Sequence, residues 1–356
     1  MTKIYKIRKI LLEKGIDALI VYDELNQRYL TDFGFSDGVV LITQNHAELI
    51  TDFRYLEMAE SKADKQFFVS APENRIEYIR SILAGDGVKT VGFEGATLAY
   101  GRYLNLCQTF FCVEFVDAGT VIEELRQIKT PEEITKIQSA QEITDKAFSH
   151  LLSIITPSMT EIEVSAELEY FMKREGAESV AFETIAVSGD DSALPHGTPR
   201  NQRLKKGFLT LDYGAKLDGY CSDMTRTVVI GKADADMKKL YNTVRTAQKL
   251  ALDYISVGAD CGETDKIARD YIDSFPEFKG AFGHSLGHSL GLLVHESPSL
   301  SRRAQGHAMR IGEIYTVEPG IYLYGKYGCR IEDMVALTDG GVYNFTHSTK
   351  DLIEIY

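Results

Sequence analysis

Residues 207–230, GFLTLDYGAKLDGYCSDMTRTVVI, decide how the rest of the chain is read. Two runs patterned as buried sheet flank Asp218-Gly219, a dipeptide suited to a two-residue hairpin turn. That turn pairs Leu217 with Tyr220 and sets Asp212 opposite Thr225. Asp223 then shares a face with Asp212, at the roughly 7–8 Å backbone separation of diagonal neighbours. A three-residue loop would instead turn Asp223 to the other face, because side chains alternate along a strand. An ionised carboxylate keeps a buried place only when its charge is compensated. Two of them close together call for a cation, so the question becomes whether other segments supply further ligands.

Three segments do. FGHSLGHSLGLLVHESP (282–298) gathers His284, His288 and His295. Gly283, Gly287 and Gly291 argue against a helix there. In extended backbone His284 and His288 still share a side, being an even number of residues apart. A lone core histidine is usually just hydrogen-bonded, whereas a cluster of this density favours a site. In YTVEPGIY (315–322), Glu318 ends an apolar run at the Pro319-Gly320 break. In CRIEDMVAL (329–337), read as strand, Arg330 and Glu332 face one way and Ile331 and Asp333 the other. Either glutamate alone reads as a surface carboxylate at a strand end. Together, Asp212, Asp223, His288, Glu318 and Glu332 form an oxygen-rich set with one nitrogen. Such a set suits hard or borderline divalent ions, Mn²⁺ first, with Co²⁺, Fe²⁺ and Zn²⁺ as alternatives. Four carboxylates exceed what one divalent ion needs and suit two ions about 3.5–4 Å apart, which would activate a water and polarise a carbonyl.

At 356 residues, with 44% hydrophobic and 26% charged content, the chain has room for two domains and a large core. A formal net charge of -13 argues against nucleic acid or anionic membrane as a partner. The opening MTKIYKIRKILLEKG reads as an amphipathic helix and not as a signal peptide, because Lys and Arg recur through it. No run approaches the roughly 20 apolar residues of a membrane span. Scattered cysteines without a C-x-x-C pair fit the reduced thiols of a cytoplasmic protein. Cys221 lies two residues before Asp223; a buried small residue is the favoured reading over a metal ligand.

Residues 1–125 alternate strands and helices. Apolar runs at 18–23, 38–43, 47–52, 67–71, 90–95 and 113–119 predict strands, the second and third paired as a hairpin across Gln44-Asn45-His46. Helices are predicted at 55–63 and 76–85, and the whole reads as a small α/β domain. From about 121 onward helical composition takes over, with the domain boundary placed near 125. Thr130-Pro131-Glu132-Glu133 is a helix start, and further helices are predicted at 160–176, 237–255 and 263–275. A strand is predicted at 181–188, a loop carrying His196 at 194–199, and strands at 313–318, 320–324, 330–337 and 342–347.

The order D-x10-D, GH-x6-HE-x-P, EPG and RIED resembles the metallopeptidase family with the pita-bread fold, which includes methionine aminopeptidase, aminopeptidase P, prolidase and creatinase. LITDFRY (49–55) and ELRQIKTPEE (124–133) resemble its creatinase-type amino-terminal domain. The resemblance implies a two-domain α/β (α+β) chain: a creatinase-like α/β domain over 1–125 and a pita-bread catalytic domain with a curved antiparallel sheet over 126–356. It implies that Asp212, Asp223, His288, Glu318 and Glu332 hold two divalent ions, with Asp223 and Glu332 joining both. His196, His284 and His295 match substrate-site histidines, Glu318 a proton shuttle to the leaving amine, and Arg330 an arginine ordering this network. The implied activity is cleavage of the Xaa-Pro bond at a peptide's N-terminus, closest to bacterial enzymes of the aminopeptidase P type, by a cytoplasmic homodimer.

One motif departs from the family pattern: GHSLG stands for the usual GHGxG, with Ser289 in the glycine place. Arg302 and Arg303 are also out of register with the arginine by which prolidases read a dipeptide's carboxylate, which favours longer substrates. An Xaa-Pro dipeptidase is the alternative. A creatinase-like amidinohydrolase and a non-catalytic binding module are both disfavoured, because their kinds have lost ligand residues that are all present in this sequence.

Overall fold

The computed structural model describes residues 1–356. Two compact units emerge, Met1–Arg126 and Gln127–Tyr356.

The first unit alternates α1 (Lys3–Lys14), β1 (Ala18–Val21), α2 (Glu24–Thr31), β2 (Val39–Thr43), β3 (Ala47–Ile50), α3 (Phe53–Lys62), β4 (Phe68–Ser70), α4 (Arg75–Gly85), β5 (Thr90–Phe93), α5 (Tyr100–Thr109) and β6 (Glu114–Asp117), and α6 (Val121–Gln127) leads out of it. Its sheet runs β4-β3-β2-β1-β5-β6. The β2–β3 hairpin and the β1–β2 pair are antiparallel and the remaining pairs parallel. Central strands β1 and β2 are buried at every residue, which is why they read as unbroken apolar runs. Helices α2 and α5 escaped the sequence reading. Asn26 and Gln27 are buried in α2, where an apolar stripe would normally signal the inward face. Helix α5 contains Gly101, has no side-chain cap and buries only Leu106, so it carries few start or stop signals.

The second unit opens with α7 (Pro131–Ile154), whose Thr130 and Glu133 form a reciprocal capping box. Thr160 and Glu163 repeat the device for α8 (Glu161–Arg174). Then come β7 (Ser179–Val180), β8 (Ile185–Ser188), β9 (Gly207–Tyr213), β10 (Ala215–Leu217), β11 (Tyr220–Cys221), β12 (Met224–Ile230), α9 (Ala235–Tyr254), α10 (Cys261–Asp273), β13 (Gly287–Ser289), β14 (Glu296–Leu300), β15 (Ile314–Val317), β16 (Gly320–Leu323), β17 (Tyr327–Arg330), β18 (Asp333–Thr338), β19 (Gly341–Asn344) and β20 (Glu354–Ile355). The β9–β12 ladder is central. Alternate β9 residues Leu209, Leu211 and Tyr213 pack with α7 and α8, while Phe208 faces the core built on α9 and α10. Helices therefore cover both faces of this ladder, and Asp212 falls on the Phe208 side.

Two predicted strands are broken where the site begins. Of the run 181–188 only Ile185–Ser188 is strand; Val180 just before it ends β7 in a different sheet, and Phe182, Glu183 and Thr184 between the two strands line a cleft. The run 330–337 is split: Arg330 closes β17 and Asp333 opens β18. The Glu332 amide between them bonds the Thr225 carbonyl at 3.1 Å, so this residue is pinned to β12 and not to a sheet partner of its own strand. No helix is long and apolar enough to cross a membrane.

Candidate active site

The hairpin adopts the two-residue turn. Asp218 and Gly219 both have positive φ, 49° and 84°, as a type I′ turn requires. Leu217 pairs with Tyr220 and Asp212 with Thr225, the register expected from the sequence. Both aspartates consequently line one cleft of about 900 Å³. Cys221 does not join them: it is buried and its sulfur lies 3.7 Å from the Leu292 carbonyl.

Segment 282–298 reaches the same cleft by a different route. Gly287 passes so close to β15 that a Cβ on it would lie 1.9 Å from the Thr316 carbonyl oxygen, so only glycine fits. The next residue, His288, bonds Thr316 Oγ1 through its backbone N at 3.0 Å. Its ring Nδ1 lies 3.1 Å from the Ser289 carbonyl. That contact assigns the proton to Nδ1 and leaves Nε2 facing Asp223 Oδ2 at 3.6 Å and Glu318 Oε1 at 3.3 Å. The His288 and His295 rings are 4.3 Å apart, centroid to centroid. His284 turns Nδ1 to the Ser285 carbonyl and Nε2 to the Tyr322 hydroxyl at 2.9 Å. His196, His284 and His295 all line the cleft, with His196 and His295 exposed.

Arg330 lies behind the carboxylates. Its guanidinium donates to Asp212 Oδ2 at 2.6 Å, Thr225 Oγ1 at 2.9 Å and Tyr322 Oη at 2.8 Å. Thr225 in turn donates to Glu332 Oε2 at 2.7 Å. Arg330 and Thr225 thus tether one oxygen of each carboxylate. The other two, Asp212 Oδ1 and Glu332 Oε1, are buried without a hydrogen-bond partner. Native proteins seldom leave buried polar atoms in that condition unless something else binds them. Asp223, His288 and Glu332 also bring one ligand atom each within 4.8 Å of one another.

The charge balance points the same way. Burial, followed by the nearby carboxylates, raises Asp223 and Glu332 well above the ordinary carboxyl range. Burial raises Asp212 as well, although Arg330 pulls against it. Glu318 goes the other way. Burial opposes its ionisation, but the hydrogen bond and charge of His288 outweigh this and hold it down at about 2. Burial lowers His284; His295, whose rim position still costs it part of its hydration, is lowered by that desolvation and then by the neighbouring His288. With one guanidinium facing four inward carboxylates, three of them resist ionisation without a further cation, and an oxygen-rich, partly unsatisfied set of this kind fits divalent cations.

Sequence reasoning missed Thr225 and Thr316, which hold ligand candidates, and Tyr322, which holds Arg330 and His284. Hydroxyl residues within apolar strands carry no distinctive pattern; only the assembled sheet brings them to their partners.

The chain matches the model of metallopeptidase family M24 over residues 135–339 and that of the creatinase/prolidase N-terminal domain over residues 3–128. It belongs to this metallopeptidase family, and its fold pairs a creatinase-like amino-terminal domain with a pita-bread domain. The uncharacterized peptidase YqhT of Bacillus subtilis is 39% identical over 352 residues, with 99% of each chain covered. Among solved structures, an Xaa-Pro dipeptidase from Bacillus anthracis superimposes with a TM-score of 0.93 at 40% identity, covering 99% of each chain. An X-Pro aminopeptidase from Thermotoga maritima does so with a TM-score of 0.89 at 34% identity, covering 100% of each. Membership makes the chain a peptidase that works with divalent metal ions.

Proposed function

We propose that this peptidase removes the N-terminal residue from peptides with proline at the second position and prefers substrates longer than a dipeptide. The length preference rests on one observation. Arg330 is the one lysine or arginine lining the cleft, and its guanidinium is already engaged by Asp212, Thr225 and Tyr322. The free carboxylate of a dipeptide, beside four more carboxylates, would need a cation there; an internal peptide bond would not. The names of the relatives from Bacillus anthracis and Thermotoga maritima support proline specificity.

In this reading Asp212, Asp223, His288, Glu318 and Glu332 hold two divalent ions, Mn²⁺ suiting the oxygen-rich set best. When bound, the ions lower the pKa of a water and polarise the scissile carbonyl. Asp223 and Glu332 would be the ligands shared by the two ions. Glu318 receives the proton released by the attacking water and passes it to the departing proline nitrogen. Its low pKa reflects a charged His288; a ligating imidazole is neutral, which removes that pull. His196 and His295 hold the substrate around the scissile bond and donate to its developing oxyanion, while His284, whose two ring nitrogens are engaged by the Ser285 carbonyl and the Tyr322 hydroxyl, shapes the same part of the site. Arg330 keeps Asp212 and, through Thr225, Glu332 in place.

A second reading, an Xaa-Pro dipeptidase, is favoured by the names of relatives such as the Pyrococcus horikoshii enzyme, 36% identical over 353 residues. Initial rates on Arg-Pro-Pro and Ala-Pro, with Mn²⁺, Co²⁺ and Zn²⁺ in turn, separate the two. The tripeptide is expected to be cleaved faster under the best metal, and a clear preference for Ala-Pro would replace the first reading by the second.

A further inference from the structure

The serine that departs from the glycine pattern has a partner. Ser289 is buried, and its Oγ lies 3.0 Å from the ammonium of Lys129. The same ammonium lies 3.5 Å from Glu296 Oε2. Side chains of Lys129 and Glu296 are only 2% and 7% exposed, so this is an ion pair out of water. A lysine so deep is costly to bury without a partner, and its partners are correspondingly well defined in space. The backbone of Lys129 is fixed as well, its N bonding the Gly312 carbonyl at 2.8 Å just before α7 begins.

The placement of its two partners matters more. Ser289 and Glu296 face each other across β13 and β14, next to a register shift. Each directly follows a cleft histidine: Ser289 follows His288, and Glu296 follows His295. The Ser289 carbonyl also receives the His288 Nδ1–H, and the second Glu296 oxygen receives the Leu293 N–H at 3.1 Å, closing the turn between the histidines. A single ammonium therefore ties together the residues that set the spacing of the two rings.

We propose that Lys129 is a positioning residue for His288 and His295, with the Ser289 hydroxyl as its second anchor. This rests on the reading of His288 as a metal ligand. Partners one step removed from a metal typically change its affinity by about 10- to 100-fold when lost.

The test uses the full-length protein, with Mn²⁺ affinity measured by the EPR signal of free Mn²⁺, kcat and KM on Arg-Pro-Pro, and thermal midpoints in chelator. Wild type must first bind Mn²⁺; if it binds neither Mn²⁺, Co²⁺ nor Zn²⁺, the ligand reading itself fails, before any variant is made. Lys129→Met is expected to weaken Mn²⁺ binding on the order of 10- to 100-fold and to leave kcat below wild type even at saturating Mn²⁺. The double variant Lys129→Met with Glu296→Gln removes the carboxylate charge while keeping an amide oxygen for the Leu293 N–H. It should recover the thermal midpoint lost in the single variant while Mn²⁺ binding stays weak. Ser289→Ala keeps the ion pair and should give a smaller weakening in the same direction. The proposal is overturned if the double variant regains wild-type Mn²⁺ affinity together with its stability, since Lys129 would then be only a buried counter-charge. Should Lys129→Met not fold, wild-type Mn²⁺ affinity in the double variant and in Ser289→Ala overturns it equally.

Discussion

Two regions bring residues to the same cleft by opposite means. The β9–β12 ladder is regular, seven consecutive cross-strand pairs from Tyr213–Met224 to Gly207–Ile230; it delivers Asp212 through alternation, and Asp223 lies one residue beyond its Tyr213–Met224 end. Segment 282–298 has only the three residues of β13 and the start of β14 in regular strand. It is held from outside. Arg269 of α10 donates to the carbonyls of Phe282 at 2.6 Å and His284 at 2.7 Å, and Asp265 accepts both from Arg269 and from the Leu286 amide. A regular element positions side chains through its own hydrogen bonds; an irregular one needs buried polar pins, each with a desolvation cost.

The contrast predicts that substitutions of the candidate ligands in or beside the ladder cost function while leaving the fold, whereas pin substitutions under the irregular run cost stability. The largest effect is expected for Asp223→Asn. Turnover should fall on the order of 10³-fold with an unchanged circular dichroism spectrum; retained metal-dependent activity would refute the assignment. In chelator this variant should also be the more stable one at neutral pH. Buried Asp223 titrates well above its ordinary 3.8, so the folded state binds a proton that the unfolded state has released. That contribution to stability is full below 3.8 and declines as pH rises toward the raised folded value. Urea midpoints against pH should accordingly fall less steeply for the variant, and parallel curves would contradict the cause.

Next comes Arg269→Met. It leaves Asp265 buried and unpaired, and a loss of about 3–5 kcal/mol is expected from urea denaturation of the chelated protein. A loss below about 1 kcal/mol would mean that segment 282–298 holds its shape without the pin. The smallest effect is expected at the tip of the ladder. Gly219→Ala places a side chain at φ 84° in the turn, outside the cleft lining, and should cost about 1 kcal/mol with kcat and KM unchanged. Altered kinetics there would show that the register of Asp223 depends on the turn more than on the seven pairs behind it.

Much of this was legible in the residues. The Asp218-Gly219 turn sets a register, and a register decides the face of every residue beyond it, so Asp212 and Asp223 could be placed together before any coordinates. Thr130 and Thr160 with their glutamates announced α7 and α8 for an equally local reason. The break after Arg330 was not legible. RIED alternates as a strand should, yet Glu332 bonds the Thr225 carbonyl 107 residues away in sequence, and nothing local encodes that choice. Nor could the run 181–188 be seen to part at residues 181–184, since its apolar content suits a cleft wall as well as a strand.

The sequence by itself determined which chemistry the chain carries: local turn geometry, alternation and the types of residue define a carboxylate-rich set with one imidazole. Only the tertiary structure decided which of its oxygens are tethered and which remain for a cation. That division depends on Arg330, Thr225 and Tyr322 converging from three strands, and such convergence is set by long-range packing and not by spacing along the chain. The same holds for Ser289. In the sequence it is a departure from a glycine pattern; in the fold, Lys129, 160 residues before it, supplies the partner that its hydroxyl meets.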